Sequence, residues 1–256
     1  MPDLIFKYDT YQLNDLASGL TVARARFPEE SRIPFEEPPR RHGAFVTEEP
    51  TLRPRYISLE GQCKKSTAAL SRAELRSLTK VLNGTNKRLF FWDDAYVNAY
   101  KSRIEADYPA GAGWLVFRFT IDILCADPFF YDPTVQSVVQ AVTGWPTSST
   151  TWSISNGGDY LVYPSLTIAN NTGASVSSIT LTNNTVGKAW TYVGTLLNGQ
   201  SLVVNHANLT VLNNGVADPN NWSGVFWWLA VGTNSITMSS ANGSVTATFQ
   251  HRFFAP

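Results

Sequence analysis

Gly113-Trp114-Leu115-Val116-Phe117-Arg118-Phe119-Thr120-Ile121-Asp122-Ile123-Leu124 is the stretch from which the fold can be read. Leu115, Phe117, Phe119, Ile121 and Ile123 fall on one side of an extended chain, and Arg118, Thr120 and Asp122 on the other. Period-two alternation of this length predicts a long strand with one face in a core and one face polar. The chain then runs Cys125-Ala126-Asp127-Pro128-Phe129-Phe130-Tyr131-Asp132-Pro133, where two prolines stop regular structure. Chemistry changes at that point. Beyond residue 132 the only charged side chains are Asp159, Lys188, Asp218 and Arg252, so 18 of the 20 basic and 18 of the 20 acidic residues lie before it. A shift this sharp marks a domain boundary, predicted after Pro133: residues 1–133 form one domain and 134–256 a second.

Upstream of the long strand, Arg55-Tyr56-Ile57-Ser58-Leu59-Glu60-Gly61 alternates in the same way and predicts a partner strand. A helix is predicted over about 71–83. Ser71 and Glu74 have capping-box spacing, Leu75, Leu78 and Leu82 form one apolar face, and Gly84 supplies a left-handed stop. A strand over Lys87–Trp92 follows. Between Phe27 and Pro54 the chain carries six prolines (28, 34, 38, 39, 50 and 54). Proline suits edge strands and extended arms, and a structureless stretch of this length is uncommon in a compact domain. Residues 28–54 therefore read as a projecting hairpin arm with Gly43 near its tip. Ile33, Phe35 and Phe45 give it apolar docking points, and Arg40 and Arg41 flank the tip.

Downstream, short apolar-alternating segments recur: Tyr160–Ile168, Ser178–Thr182, Ala189–Val193, Ser201–Asn205, Asn208–Leu212, Val225–Val231, Ser235–Ser239 and Ser244–Phe249. Turn clusters such as Asn198-Gly199, Asn213-Asn214-Gly215 and Asn242-Gly243 separate them. This spacing predicts a β-sandwich or jelly roll. The fold class is thus mainly β, a β-rich α+β domain with one helix and an arm, followed by an all-β sandwich.

Composition narrows function. Net charge is +0, so the basic excess of a duplex-DNA binder is missing. The start MPDLIFKYDT has no basic region before an apolar core, and no apolar run approaches the ~18 residues of a membrane span. The two cysteines, Cys63 and Cys125, read as free thiols in a reducing compartment. Chemistry-bearing motifs are scarce. The three histidines, His42, His206 and His251, sit in no nucleophile–base arrangement. No ligand spacing for a metal occurs, and Asp93-Asp94 reads as a solvated turn. Asp159 and Asp218, the only carboxylates of the second half, occupy turn contexts rather than a paired acid–base geometry. The expectation is a non-enzyme without cofactor or metal. Trp222, Trp227 and Trp228 leave open a contact with sugar or with a partner, set against one core and one interface tryptophan. A carbohydrate-binding module with a tethering domain is accordingly the alternative reading.

The order of features in the first half resembles the distal tail protein (Dit) family of long-tailed, non-contractile phages. The matching stretches are the arm tip Arg40-Arg41-His42-Gly43-Ala44, the strand Pro54–Gly61, the helix start Ser71-Arg72-Ala73-Glu74-Leu75, and the ending Asp127-Pro128-Phe129-Phe130-Tyr131. In the second half, Tyr163-Pro164-Ser165-Leu166-Thr167-Ile168 and Leu229–Ile236 are similar to stretches of the family's galectin-like sandwich. The resemblance implies a structural virion protein of the tail tip or baseplate that forms a hexameric ring. It also implies a tube-like first domain making the ring's inner barrel. Expected partners are a tail tube protein, a hub or tip protein, and fibre or receptor-binding proteins. DNA would pass through the lumen without sequence-specific binding. A tube or tube-terminator subunit is a second alternative. Expected localisation is the virion tail tip, with assembly in the host cytoplasm.

Overall fold

A computed structural model describes residues 6–15, 17–26, 31–32, 35–36, 45–46, 51–52, 54–91, 95–142, 149–239 and 243–254. The protein is mainly β and divides into two compact units, the first ending at Phe130 and the second spanning Tyr131–Phe254.

In the first unit, strands β1 (Phe6–Tyr8), β2 (Tyr11–Gln12) and β3 (Leu20–Arg26) open the chain. Short pairs follow: β4 (Ser31–Arg32), β5 (Phe35–Glu36), β6 (Phe45–Val46) and β7 (Thr51–Leu52). Here β4 pairs antiparallel with β7 and β5 with β6. Next come β8 (Arg55–Lys64), helix α1 (Ala68–Leu82), β9 (Lys87–Phe91), β10 (Ala95–Ala99), β11 (Lys101–Asp107) and β12 (Val116–Cys125).

The long strand read from sequence is β12, the centre of a four-stranded antiparallel sheet in the order β11-β12-β8-β3. Phe117, Phe119, Ile121, Ile123 and Cys125 are buried on its inner face. Burial of each large apolar side chain stabilises the fold by roughly 1.5–3 kcal/mol. Leu115 was expected on that face, but it precedes the strand and is 37% exposed, after Trp114 at φ +63° turns the chain. Across from Phe119 stands Gly61, where any Cβ would overlap the Phe119 ring and the Thr21 carbonyl. Strands β2-β1-β9-β10 lie side by side in a second sheet, and Phe6 packs edge-on against Phe91 at 5.7 Å.

Helix α1 begins earlier than the sequence reading had it. Its cap is Thr67, whose hydroxyl accepts from the Leu70 amide at 3.3 Å. Ser71 lies inside the helix, fully buried, and Glu74 is drawn to Lys65 at 2.8 Å and to the Tyr11 hydroxyl rather than to a cap. Thr67 and Ser71 are both acceptable caps locally, and one turn of propensity does not choose between them. Burial of Leu78 and Leu82 with Ser71 does.

After β13 (Phe130–Tyr131), the second unit is a sandwich of two antiparallel sheets. Its strands are β14 (Gln136–Val142), β15 (Thr150–Asn156), β16 (Ser165–Ala169), β17 (Ile179–Asn183), β18 (Lys188–Tyr192), β19 (Ser201–Asn205), β20 (Thr210–Asn213), β21 (Val216–Ala217), β22 (Trp222–Gly224), β23 (Gly232–Ser239), β24 (Gly243–Phe249) and β25 (Arg252–Phe253). One sheet has the order β14-β24-β16-β19-β20-β21 and the other β15-β23-β17-β18-β22. Leu166, Ile168, Leu202, Val204, Val245 and Ala247 of the first sheet meet Trp152, Ile154, Ile179, Leu181, Trp190, Ile236 and Met238 of the second in one core.

Two sequence expectations fail here. Val225–Val231 is not a ladder strand; only Leu229 bridges to Val162, and the edge strand is the preceding Trp222–Gly224. Strands β14 and β15 were not anticipated: β14 sets Gln136 and Gln140 beside Val138 on its half-buried side and Val139 on its exposed one, and β15 carries Thr and Ser at its exposed positions. Their core contributions become visible only against β24 and β23.

Candidate functional site

Among the described residues no three His, Cys, Asp or Glu side chains gather to hold a metal. Burial pushes the Cys125 thiol up to about 12 and the Cys63 thiol to about 11, so neither is a thiolate near neutral pH. Asp218 accepts from the Tyr192 hydroxyl at 2.6 Å and from the Asn221 side chain at 2.9 Å. Those hydrogen bonds hold its carboxyl below the usual carboxylate range, while burial and the same contact push Tyr192 up to about 12. Asp159 stays at a turn, its amide donating to the Arg252 carbonyl at 2.8 Å. His206 is sealed in the sandwich core, and His42, Asp93 and Asp94 lie outside the described residues.

The tryptophans separate by burial. Trp227 is fully buried, its ring 4.3 Å from His206, and it offers no face to a ligand. Trp222 is half-buried and stacked on Phe226 at 4.3 Å; Trp228 is half-buried, edge-on to Tyr163 at 6.4 Å. The three therefore do not form one platform. Trp222 opens the edge strand β22, whereas Trp227 and Trp228 lie in the irregular stretch after it, and the side each ring takes is set by tertiary packing.

Of the arm residues, Phe35 pairs its backbone with Val46, and Phe45 with Glu36; Ile33, Arg40, Arg41 and Gly43 lie outside the described residues.

What the sequence reading did not assemble is the outer face of the β11-β12-β8-β3 sheet. Register places Asp107 opposite Arg118 and Arg118 opposite Gln62. The next row runs Glu105, Thr120, Glu60 and Arg24, and the next Arg103, Asp122, Ser58 and Arg26. Arg26 meets Glu60 at 3.1 Å and Arg103 meets Glu105 at 2.6 Å, both pairs well exposed. Exposed pairs of this kind contribute little to stability. Their effect is to make a broad polar face in which acids and bases alternate and no single sign dominates. The sheet ends on β3 and β11, which pair on one side only among the described residues. A β-bulge at Ala23, between Val22 and Arg24, interrupts the register of β3. Only Arg118, Thr120 and Asp122 were assigned to this face from sequence; the cross-strand rows required the pairing.

Comparison with protein families now bears on this geometry. The profile of the siphovirus-type tail component, C-terminal domain, matches residues 157–253. The matched stretch covers most of the sandwich, from the turn after β15 through β25. No curated protein sequence matches the chain. Among solved structures, the Dit protein of phage SPP1, described as a paradigm of the hub adsorption apparatus in phages infecting Gram-positive hosts, superposes with a TM-score of 0.75 at 19% identity. That match covers 98% of this chain and 99% of the phage protein, so the fold is shared over the length of the chain. A chain of the phage P2 baseplate in its activated, calcium-bound conformation superposes with a TM-score of 0.51 at 10% identity, covering 97% of this chain and 98% of that one.

Proposed function

We propose that the protein is a structural subunit of a phage tail tip, a distal tail protein whose copies close into a hexameric ring between the tail tube and the hub. The observation that carries this reading is the four-stranded sheet β11-β12-β8-β3, open at both edges among the described residues, with a charge-balanced polar outer face. An exposed edge is an aggregation hazard unless it is covered or paired. Closing the sheets of successive copies around an axis pairs β3 of one copy against β11 of the next, which removes every edge. A head-to-tail ring needs two different complementary borders on each subunit, and this sheet supplies them.

The outer face then lines the lumen. A conduit for DNA must not hold it, and alternating Glu60, Glu105, Asp122, Arg103 and Arg118 present no continuous cationic track for phosphates. The match of residues 157–253 to the tail-component profile supports the tail setting. So does the fold shared with the SPP1 protein, whose hub role is carried over here as part of the proposal. Partners in this reading are the last tube ring, the hub or tip protein, and fibres attached through the sandwich. The protein is assembled in the host cytoplasm, resides in the virion and performs no catalysis.

The test is the mass and shape of the purified full-length protein. Native mass spectrometry is expected to give a six-copy species and negative-stain images a ring with an open centre. Removal of residues 28–54 is expected to leave a folded monomer, because the arm reaches a neighbouring copy. A full-length protein that remains monomeric at high concentration overturns the ring, and an arm-deleted protein that assembles normally overturns the role of the arm.

A further inference from the structure

Helix α1 carries a cationic stripe that makes no ion pair among the described residues. Arg72, Arg76 and Lys80 recur every fourth residue, so they lie on one side of the helix at ~6 Å intervals along its axis. All three are exposed. Like charges at this spacing disfavour the helix that bears them. The helix's one carboxylate, Glu74, is held away by Lys65 at 2.8 Å and by the Tyr11 hydroxyl. Leu75, Thr79 and Tyr108 join the stripe to line a groove of about 580 Å³. Tyr108 packs its ring on Trp114 at 4.8 Å, and its hydroxyl is buried in the groove wall without a hydrogen-bond partner among the described residues. The groove therefore offers three cations, an apolar floor and an orphaned O–H donor, a set that fits an acidic extended peptide.

The chain contains such a peptide. Residues 28–54 hold Glu29-Glu30, Glu36-Glu37 and Glu48-Glu49, while Arg40-Arg41-His42 cluster around Gly43. Ser31 pairs its backbone with Leu52 and Glu36 with Phe45, and the sequence on either side of residues 40–43 carries six glutamates against two arginines, Arg32 and Arg53. We propose that the acidic limbs of one copy's arm dock in the α1 groove of the next copy, carboxylates over Arg72, Arg76 and Lys80 and one of them accepting from Tyr108. This rests on the ring reading above and names the surface that receives the arm. Twenty-seven residues folded back as a hairpin reach at most ~45 Å, ample to cross to a neighbour.

The experiment is a charge exchange in the full-length protein. One variant reverses the groove (Arg72→Glu, Arg76→Glu, Lys80→Glu), a second reverses the arm (Glu29→Lys, Glu30→Lys, Glu36→Lys, Glu37→Lys, Glu48→Lys, Glu49→Lys), and a third combines both. Each single reversal is expected to lower the ring fraction about tenfold or more, the combined variant to restore it, and an equimolar mixture of the two single variants to restore it as well. Restoration in the mixture separates docking between copies from docking of an arm onto its own helix, which the combined variant alone would also repair. Circular dichroism checks that α1 survives. Arg72→Gln with Arg76→Gln, which keeps good helix formers, is expected to show a weaker loss of the same sign. Rings that persist after groove reversal, or a mixture that does not reassemble, overturn the docking while leaving the ring reading intact. A wild-type protein that never forms rings overturns both.

Discussion

Acid should loosen the sandwich through one residue, His206. The side chain is 1% exposed. Its Nε2 accepts from the Trp190 indole N–H at 3.2 Å, and its Nδ1 lies 3.0 Å from the Pro164 carbonyl. Only the neutral tautomer with the proton on Nδ1 satisfies both, donating to Pro164 and accepting from Trp190. Trp227 stacks over the ring at 4.3 Å and Phe226 meets it edge-on at 5.8 Å, so water has no approach. Protonation would place a charge in this apolar box and set two N–H donors head to head at Nε2. Burial accordingly holds the imidazole down at about 4, against some upward pull from the Pro164 carbonyl.

The sign follows from linkage. The unfolded chain takes up the proton below about 6.5, whereas the folded chain resists until about 4. The stability conferred by keeping His206 neutral is complete above pH 6.5 and is lost as pH falls toward 4. The full loss is about 3 kcal/mol, and about 2.5 kcal/mol is gone by pH 4.5. Urea unfolding followed by tryptophan fluorescence at pH 7 and pH 4.5, on wild type and His206→Gln, isolates the effect from carboxylates that titrate in the same window. The variant should be less stable at pH 7 and show a smaller drop on acidification, the difference between the two drops being about 2.5 kcal/mol. Equal drops would refute the tautomer argument.

Other outcomes follow from the same reasoning. Thr67→Ala should cost about 1 kcal/mol in thermal or chemical denaturation through loss of the α1 cap. Ser71→Ala, although sequence spacing favours Ser71 as the cap, should be neutral or stabilising, because its buried hydroxyl has no partner among the described residues. Gly194→Ala should destabilise the second unit by about 2 kcal/mol or more, since a Cβ there overlaps the Tyr192 hydroxyl and displaces it from Asp218; a melting curve unchanged from wild type would count against the packing. Trp227→Ala should cost about 3–5 kcal/mol and Trp228→Ala clearly less, while isothermal titration with polysaccharides should show no heat that depends on Trp227.

Sequence alone determined whatever depends on the nearest neighbours along the chain. The alternation in Val116–Cys125 and Arg55–Lys64 imposes extended backbone with one buried face, and the abrupt loss of charge after residue 132 separates two chemistries. The Leu78 and Leu82 face predicts a helix whatever caps it. Tertiary structure decided what depends on partners distant in sequence. The alternation of Arg103, Asp122, Ser58 and Arg26 in one row exists only because three antiparallel ladders fix its register, and a shift of one residue would turn each side chain to the other face. Sandwich closure made Trp227 and His206 core residues, bent Val225–Val231 out of the ladder, and recruited the glutamine-interrupted β14 and the hydroxyl-rich β15 as strands. Local propensity is worth tenths of a kcal/mol per residue, whereas burial of one large side chain is worth several times that; where the two disagreed, as at Ser71 and Thr67, burial chose.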